Sequence, residues 1–145
     1  MTFVEMTVEG IGIDPSDNPL ILLRDAERQT LVNIWVGPKE AVSIQRGLDS
    51  APSVRPMTHD LMTNVFQECG ISLVRVTLND FEEGVYYASL HLQSGNGTHE
   101  IDARPSDAIA LALRAKVPIL VSEKLIQEVG IQRIQETLDT PEETS

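Results

Sequence analysis

Acidic and basic side chains gather in the segment HEIDARPSD, residues 99–107, immediately before a long apolar run. If the first part of this segment is a strand, its period of two puts Glu100, Asp102 and Arg104 on one face. Asp107 then falls in the first turn of a following helix. Carboxylate oxygens are the ligands that Mg²⁺ and Mn²⁺ prefer, and such ions activate water against phosphate esters. Asp102 and Asp107, together with Glu100, therefore form a candidate metal site.

The same charges have an explanation that needs no ligand. A carboxylate in the first helical turn accepts hydrogen bonds from free backbone N–H groups and faces the positive end of the helix dipole, which stabilises a helix by about 1 kcal/mol. Arg104 can pair with Asp102 or with Asp107. Capping accounts for Asp107 but not for Glu100 and Asp102, which a strand does not require. Because Asp107 already brings negative charge to this helix end, a phosphate here needs a bridging cation.

A second charged segment, RPMTHD, lies at the start of another predicted helix and contains Arg55, His59 and Asp60. His59 is a candidate general acid or base, and Asp60 is a candidate for orienting it. Adjacent residues on a helix point about 100° apart, so the two side chains are not required to touch. The alternative is structural: Thr58 caps the helix, the dipole stabilises Asp60, and His59 lies on the surface or lines a cavity.

Two groups of three short strands must carry these segments. The first group is VEMTVEG, which continues past a bulge at Gly10, followed by LILLRD and TLVNIWVG. The second group is ISLVRVTL, VYYASLHLQ and HEIDA. Apolar and polar residues alternate in VEMTVEG, and DPSDNP, NDFEEG and SGNGT are rich in the residues that favour turns. Each group is typical of an antiparallel meander.

Helices are predicted from Pro38 to Leu48, from Thr58 to Gly70 and over PSDAIALALRAK. The strand VPILVS follows the last of these, so this part of the chain predicts a βαβ crossover. EKLIQEVG and IQRIQETL are predicted to close the domain as short helices. The order of elements indicates an α+β fold, with mixed β-sheets built from two antiparallel meanders plus a βαβ crossover and with packed helices.

The helix of the crossover has no polar face between Ala108 and Leu113. A helix that is apolar all round is expected to be buried on every side, and its alanines permit a sheet or another helix to approach closely. In a chain of this size the same feature suggests a subunit interface. We therefore expect a homo-oligomer, a dimer or larger.

Length, charge and composition restrict the class of protein. Residues 1–135 of the 145 are assigned to a single domain, and residues 136–145 to an acidic, disordered tail. A net charge of −11, scattered basic residues and 4% aromatic residues disfavour a simple nucleic-acid-binding protein and leave nucleic acid only as a substrate. No apolar run approaches the ~20 residues that cross a bilayer. The single cysteine, Cys69, indicates the reducing cytoplasm and is expected to be buried at a helix end.

Five segments together resemble a known family: GPKEA, RPMTHDL, YYASL, IDARPSDAIALALR and VPILVSE. Their order and spacing are similar to those of the bifunctional nuclease domain. The resemblance implies an α+β domain that assembles into dimers or larger oligomers, with a nuclease activity on DNA and RNA as in plant members. The motif positions that become candidates for a site are Glu40, Arg55, His59, Asp60, Asp102, Arg104, Ser106 and Asp107.

The first functional hypothesis is a metal-dependent phosphodiesterase that acts on DNA or RNA. In this hypothesis Asp102 and Asp107 bind Mg²⁺ or Mn²⁺, and Glu100 or Glu40 completes the coordination shell of the metal ion. The remaining candidates take part in catalysis or substrate binding: His59 as base or acid, Arg104 on the phosphate, and Arg55 and Ser106 on the substrate.

The second hypothesis is a non-enzymatic oligomeric module that binds a protein partner or a small ligand in the same pocket. It rests on the apolar crossover helix and on the lack of an unambiguous nucleophile or metal motif. In this case Asp107 is a cap, and Arg104 is its structural partner.

Overall fold

The computed structural model describes residues 2–27 and 29–132. These residues form one eight-stranded mixed sheet, with the strand order β6-β5-β4-β7-β1-β2-β3-β8, and four helices. In chain order the elements are β1 (Phe3–Ile13), β2 (Pro19–Asp25), β3 (Thr30–Trp35), α1 (Pro38–Asp49), α2 (Thr58–Glu68), β4 (Ser72–Glu82), β5 (Val85–Ser94), β6 (Gly97–Ala103), α3 (Pro105–Ala115), β7 (Ile119–Ser122), α4 (Glu123–Val129) and β8 (Gly130–Gln132).

Both predicted meanders are confirmed, and they belong to the same sheet. β1–β2–β3 and β4–β5–β6 each pair antiparallel in sequence order. The bulge expected near Gly10 appears as a register shift between Val8 and Gly10 where β1 pairs with β2. β7 joins the two meanders, since it pairs antiparallel with β1 and parallel with β4.

The βαβ crossover is also confirmed, as β6–α3–β7. α3 lies at the centre of the molecule: Ala108, Ile109 and Ala110 are fully buried, and Leu111 and Ala112 almost so. It contacts α1, α2, β4 and β5, so that three helices pack together against the sheet. The chain's own elements thus cover α3, and its apolar composition is explained without a subunit interface.

Gly47 of α1 lies directly against α3. A Cβ placed on it would lie 3.2 Å from Cβ of Leu113 and 3.1 Å from Nη1 of Arg114. A larger residue would separate the two helices or displace the guanidinium group. This contact sets how near the side chains of α1 lie to those of α3.

β6 is one edge of the sheet. Its residues are exposed except for Ala103, which is partly buried, and even Ile101 is 46% exposed. Among the described strands, β5 is the one that pairs with β6.

Three local predictions differ from the structure. The residue that caps the N-terminus of α2 is Met57 rather than Thr58. The backbone N–H of Met57 donates to the carboxylate of Asp60 at 3.0 Å. Cys69 is exposed, not buried. Gly130–Gln132 is a strand that pairs antiparallel with β3, where a closing helix was expected to begin. The rest of that predicted helix and the acidic tail lie outside the described residues.

Within the described residues, no helix combines the length and the apolar composition that crossing a bilayer requires.

Candidate active site

Three helices bring the functional side chains to one pocket. α1 supplies Glu40 and Ser43, α2 supplies His59, and Asp107 lies in the first turn of α3. The pocket has a volume of about 450 Å³. Its lining residues are Lys39, Glu40, Val42, Ser43, Met57, Thr58, His59, Arg104 and Asp107.

A Ser–His–Asp chain of hydrogen bonds crosses the pocket wall. Oγ of Ser43 lies 2.6 Å from Nδ1 of His59, and Nε2 of His59 lies 2.8 Å from Oδ1 of Asp107. His59 itself is buried, with 7% of its surface exposed. An ionised carboxylate can only accept, so Nε2 carries the proton, and in the neutral ring Nδ1 then accepts from the Ser43 hydroxyl. This tautomer satisfies both contacts of the imidazole.

Arg104 holds Asp107 from the other side. Its Nε donates to Oδ2 of Asp107 at 2.9 Å, and its Nη2 donates to Oδ1 at 3.2 Å. Burial opposes ionisation of Asp107, but the hydrogen bonds from Arg104 and His59 outweigh it, so the pKa of this carboxyl is lowered. Asp107 is therefore a carboxylate at neutral pH. The Arg104 side chain is 64% exposed, and its Nη2 also lies 3.6 Å from Oε2 of Glu40. The guanidinium group of Arg104 therefore places a positive charge at the pocket.

Arg114, on the last turn of α3, supports the wall behind Ser43. Its side chain is 10% exposed, and its Nε donates to Oδ1 of Asp60 at 2.8 Å. Its Nη2 donates to Oγ of Ser43 at 3.2 Å, and its Nη1 to the carbonyl of Ala110. The hydrogen bond from Arg114 is the main reason why the pKa of Asp60 is lowered. Asp60 thus orients Arg114, while Asp107, and not Asp60, orients His59.

The structure brings together Glu40, His59, Arg104 and Asp107 in this pocket, but not Arg55, Glu100, Asp102 and Ser106. The side chain of Asp102 is exposed and makes no hydrogen bond or ion pair with any residue that the structure describes. Glu100 lines a different pocket, beside His91 and His99. Arg55 is exposed, and Ser106 is buried and lines a third pocket, which it shares with Arg104.

The predicted metal set of Asp102, Asp107 and Glu100 is not assembled. The described residues contain no group of three or more His, Cys, Asp or Glu side chains placed to hold a metal ion. Both oxygens of Asp107 already accept hydrogen bonds, and the nearby carboxylate of Glu40 faces the same guanidinium group. A cation at this position would have to displace Arg104. The side chains present therefore do not fit a Mg²⁺ or Mn²⁺ site.

Ser43 and Arg114 are the site residues that the sequence analysis missed. Ser43 lies in an ordinary amphipathic helix, with no glycine-rich turn or other signature of a nucleophile around it. One weak signal is present, because Glu40 and Ser43 are three residues apart and share a helix face. Arg114 looks like a routine basic residue at a helix C-terminus.

Comparison with known proteins gives a consistent result. The sequence profile of the bifunctional nuclease domain matches residues 21–133. An uncharacterized protein of Mycobacterium tuberculosis is 37% identical over 128 residues, which cover 88% of this chain and 76% of that protein. Bifunctional nuclease 2 of Oryza sativa subsp. japonica and Bifunctional nuclease 1 of Arabidopsis thaliana are each 30% identical over 84% of this chain and 39% of their own length.

Proposed function

The chain belongs to the bifunctional nuclease domain family, and on this premise we propose that it hydrolyses phosphodiester bonds of DNA or RNA. The reaction takes place in the pocket between α1, α2 and the start of α3. One observation carries the proposal: His59 is held between a hydroxyl and an ionised carboxylate in a pocket that also contains two cations, Lys39 and Arg104.

The arrangement supplies the two requirements of phosphodiester hydrolysis. His59, kept in one tautomer by Asp107, takes up and returns a proton during bond breaking, a role that contributes about 10²- to 10⁴-fold to a rate. Lys39 and Arg104 attract the phosphate, and Arg104 offsets the charge that develops on it. Neither role needs a divalent metal, which the donor set at Asp107 does not accommodate.

The charge of the chain indicates how the substrate is held. With 22 acidic and 11 basic residues, the protein has no extended basic track, so it contacts few phosphates outside the pocket. Binding that neutralises few phosphates depends weakly on salt concentration. A short, flexible single strand or a nucleic-acid end suits this pocket better than a long duplex.

The test of the function is cleavage of labelled single-stranded DNA and RNA oligonucleotides by highly purified protein. Wild type is expected to cleave them, and His59→Ala is expected to lose about a hundredfold or more in kcat. His99→Ala is the matched control, since His99 is exposed and lines another pocket. Equal activity in all three preparations would indicate a contaminating nuclease and would refute the proposal.

The second candidate, an oligomeric module, is favoured by an apolar surface beside the pocket. Met57, Leu61 and Val65 follow one another at intervals of four residues along α2, and with Val42 of α1 each is about half exposed. We infer that a second copy of the chain packs on this surface, which is compatible with the enzymatic function.

Light scattering during size exclusion tests the dimer. Wild type is expected to elute as a dimer and Leu61→Glu as a monomer, because a buried charge at the interface is costly. Val85→Glu is the control, because Val85 is similarly exposed at the turn between β4 and β5. A monomeric wild type, or a dimeric Leu61→Glu, would contradict this inference.

A further inference from the structure

We propose that Ser43 is the nucleophile and that cleavage passes through a covalent phosphoseryl intermediate on its Oγ atom. The proposal rests on the function proposed above and names the chemistry of that same site. It follows from three contacts: His59 with Ser43, His59 with Asp107, and Arg114 with Ser43.

The first argument is the lack of a free nitrogen on His59. Nδ1 contacts Oγ of Ser43 and Nε2 contacts Oδ1 of Asp107, and the ring is 7% exposed. A water molecule would have to displace one of these partners before the imidazole could deprotonate it. Asp107, as a carboxylate, has no proton to give. The hydroxyl of Ser43 is therefore the group from which His59 can take a proton without any rearrangement.

The second argument is the access of Ser43 to substrate. Its side chain lines the same pocket as Lys39 and Arg104. A phosphate attracted by these cations lies within the cavity that Oγ faces. His59 is mostly covered, whereas Ser43 is partly exposed, so Ser43 is the member of the hydrogen-bonded chain that presents a reactive atom to the cavity.

The third argument is the charge behind Oγ. Nη2 of Arg114 donates to Oγ at 3.2 Å, and the Arg114 side chain is fixed by Asp60 and by the carbonyl of Ala110. A buried guanidinium group keeps its proton and favours negative charge on a neighbouring oxygen. Arg114 therefore stabilises the alkoxide character that Oγ acquires during attack. A serine that served only to fix the histidine tautomer would not require this second contact.

The steps balance without a further reactant. Oγ attacks phosphorus and its proton passes to Nδ1 of His59, while Nε2–H remains hydrogen-bonded to Asp107. The bond from phosphorus to the leaving oxygen, on the side opposite Oγ, breaks, and that oxygen takes a proton from water. In the second step water attacks phosphorus from the vacated side and releases one proton to the solvent. The Oγ–P bond breaks, Nδ1 of His59 returns its proton to Oγ, and a phosphomonoester is released.

The ring is reversed relative to the serine protease triad, in which Nε2 faces the serine and Nδ1 the aspartate. Either nitrogen can act as the base when the other one donates to a carboxylate. The orientation follows from the contacts of the ring, since His59 of α2 lies between Ser43 of α1 and Asp107 of α3.

The test uses a biotinylated fluorophosphonate on the full chain, followed by intact mass measurement and peptide mapping. Wild type is expected to gain one adduct at Ser43 with loss of fluoride. Ser43→Ala and His59→Ala are expected to gain none, while Ser72→Ala, which lacks an exposed serine at the start of β4, is labelled like wild type. Absence of label from wild type, or equal label on Ser43→Ala, would overturn the proposal.

A second measurement follows the stereochemistry at phosphorus. A dinucleotide phosphorothioate of one configuration is cleaved in H₂¹⁸O, and the configuration of the product is determined. Two successive in-line displacements give retention, which supports the covalent intermediate. A single displacement by water gives inversion, which would overturn the role of Ser43 while leaving the nuclease function intact.

Together, the labelling and cleavage measurements distinguish a failure of the proposed nucleophile from a failure of the proposed function. Labelling of Ser43 in a protein that cleaves no oligonucleotide supports the nucleophile and refutes the phosphodiester substrate. Cleavage by a Ser43→Ala variant at the wild-type rate supports the function and refutes the nucleophile. Ser43→Ala removes two hydrogen bonds, to His59 and from Arg114, but leaves Arg114 paired with Asp60, so we expect its thermal unfolding to remain close to that of wild type.

Discussion

Nε2 of His59 lies 2.8 Å from Oδ1 of Asp107, although 48 residues separate them along the chain. The contact joins the start of α2 to the start of the crossover helix α3. Since Arg104 also holds Asp107, the carboxylate serves to orient the imidazole. Of the three acids in residues 99–107, Asp107 is the one that lines this pocket.

Asp107→Asn keeps the shape of the side chain but replaces an obligate acceptor with an amide that can donate. The ring proton of His59 can then move from Nε2 to Nδ1. A protonated Nδ1 can no longer accept the proton of the Ser43 hydroxyl. We expect kcat to fall about a hundredfold or more. The matched variant is Asp102→Asn, which is expected to retain activity within about twofold because Asp102 is exposed. Equal losses in the two variants would give Asp102 a part in the reaction.

Lys39→Gln removes an exposed cation from the edge of the pocket. The contribution of such a charge is about 0.2–1 kcal/mol, so KM is expected to rise up to about fivefold while kcat changes little. Steady-state kinetics on a short oligonucleotide measure both constants. Lys116→Gln, at the opposite end of α3, should leave KM unchanged, and a similar rise there would indicate a general effect of net charge.

Chelation of divalent metals is expected to leave the activity unchanged. The oxygens of Asp107 are already hydrogen-bonded to His59 and Arg104, and the described residues offer no cluster of three metal-binding side chains. Oligonucleotide cleavage should therefore proceed at the same rate in excess EDTA as in Mg²⁺. A cleavage rate that falls to background in EDTA and recovers on addition of Mg²⁺ or Mn²⁺ would contradict a metal-independent reaction.

Asp60→Asn is expected to destabilise the fold. The Arg114 side chain is 10% exposed and would lose a charge-assisted hydrogen bond of 2.8 Å. The start of α2 would lose the carboxylate that accepts from the backbone N–H of Met57. The expected loss in free energy of unfolding is about 2 kcal/mol. Urea unfolding measures it, with Asp102→Asn as the control, because the Asp102 side chain has no hydrogen-bond or ion-pair partner among the described residues. Identical midpoints for the two variants would mean that the Arg114 pair contributes nothing.

Acid should destabilise the protein through the same carboxyls. The hydrogen bond from Arg114 lowers the pKa of Asp60 in the folded chain, and Arg104 and His59 lower that of Asp107 against the effect of burial. An unfolded aspartate has a pKa of about 3.9. The stabilisation is therefore complete above that pH and is lost as the pH falls through the lower, folded-state values. Unfolding measured between pH 6 and about 2.5 is expected to show this loss, and the Asp60→Asn slope should be shallower.

The sheet and its helices could be predicted from the sequence because their signals are local. Alternation along Val4 to Val8, a bulge at Gly10 and Pro38 at the first position of a helix each depend on neighbouring residues alone. The strand at Gly130 could not be predicted in this way. Its sequence favours a helix, but the unpaired edge of β3 provides backbone partners that only the folded sheet contains.

The site was predictable in part. His59, Arg104 and Asp107 stand out because charged residues near helix starts are visible in the sequence. Ser43 becomes a candidate only when α1 lies against α3, a contact that Gly47 permits and no periodicity reveals. The same geometry separates Asp102 and Glu100 from Asp107, since a strand edge and a helix start that adjoin in sequence need not share a cavity.

Glu100 and Asp102, the two acids that the proposed mechanism does not use, lie on the exposed edge strand β6. Its outer backbone N–H and C=O groups have no strand beside them among the described residues, so another chain could extend the sheet at this point. Glu100 and Asp102 place two negative charges along that edge, where an identical strand would bring two more. Their mutual repulsion opposes edge-to-edge pairing of two β6 strands, the first step of sheet growth into fibrils.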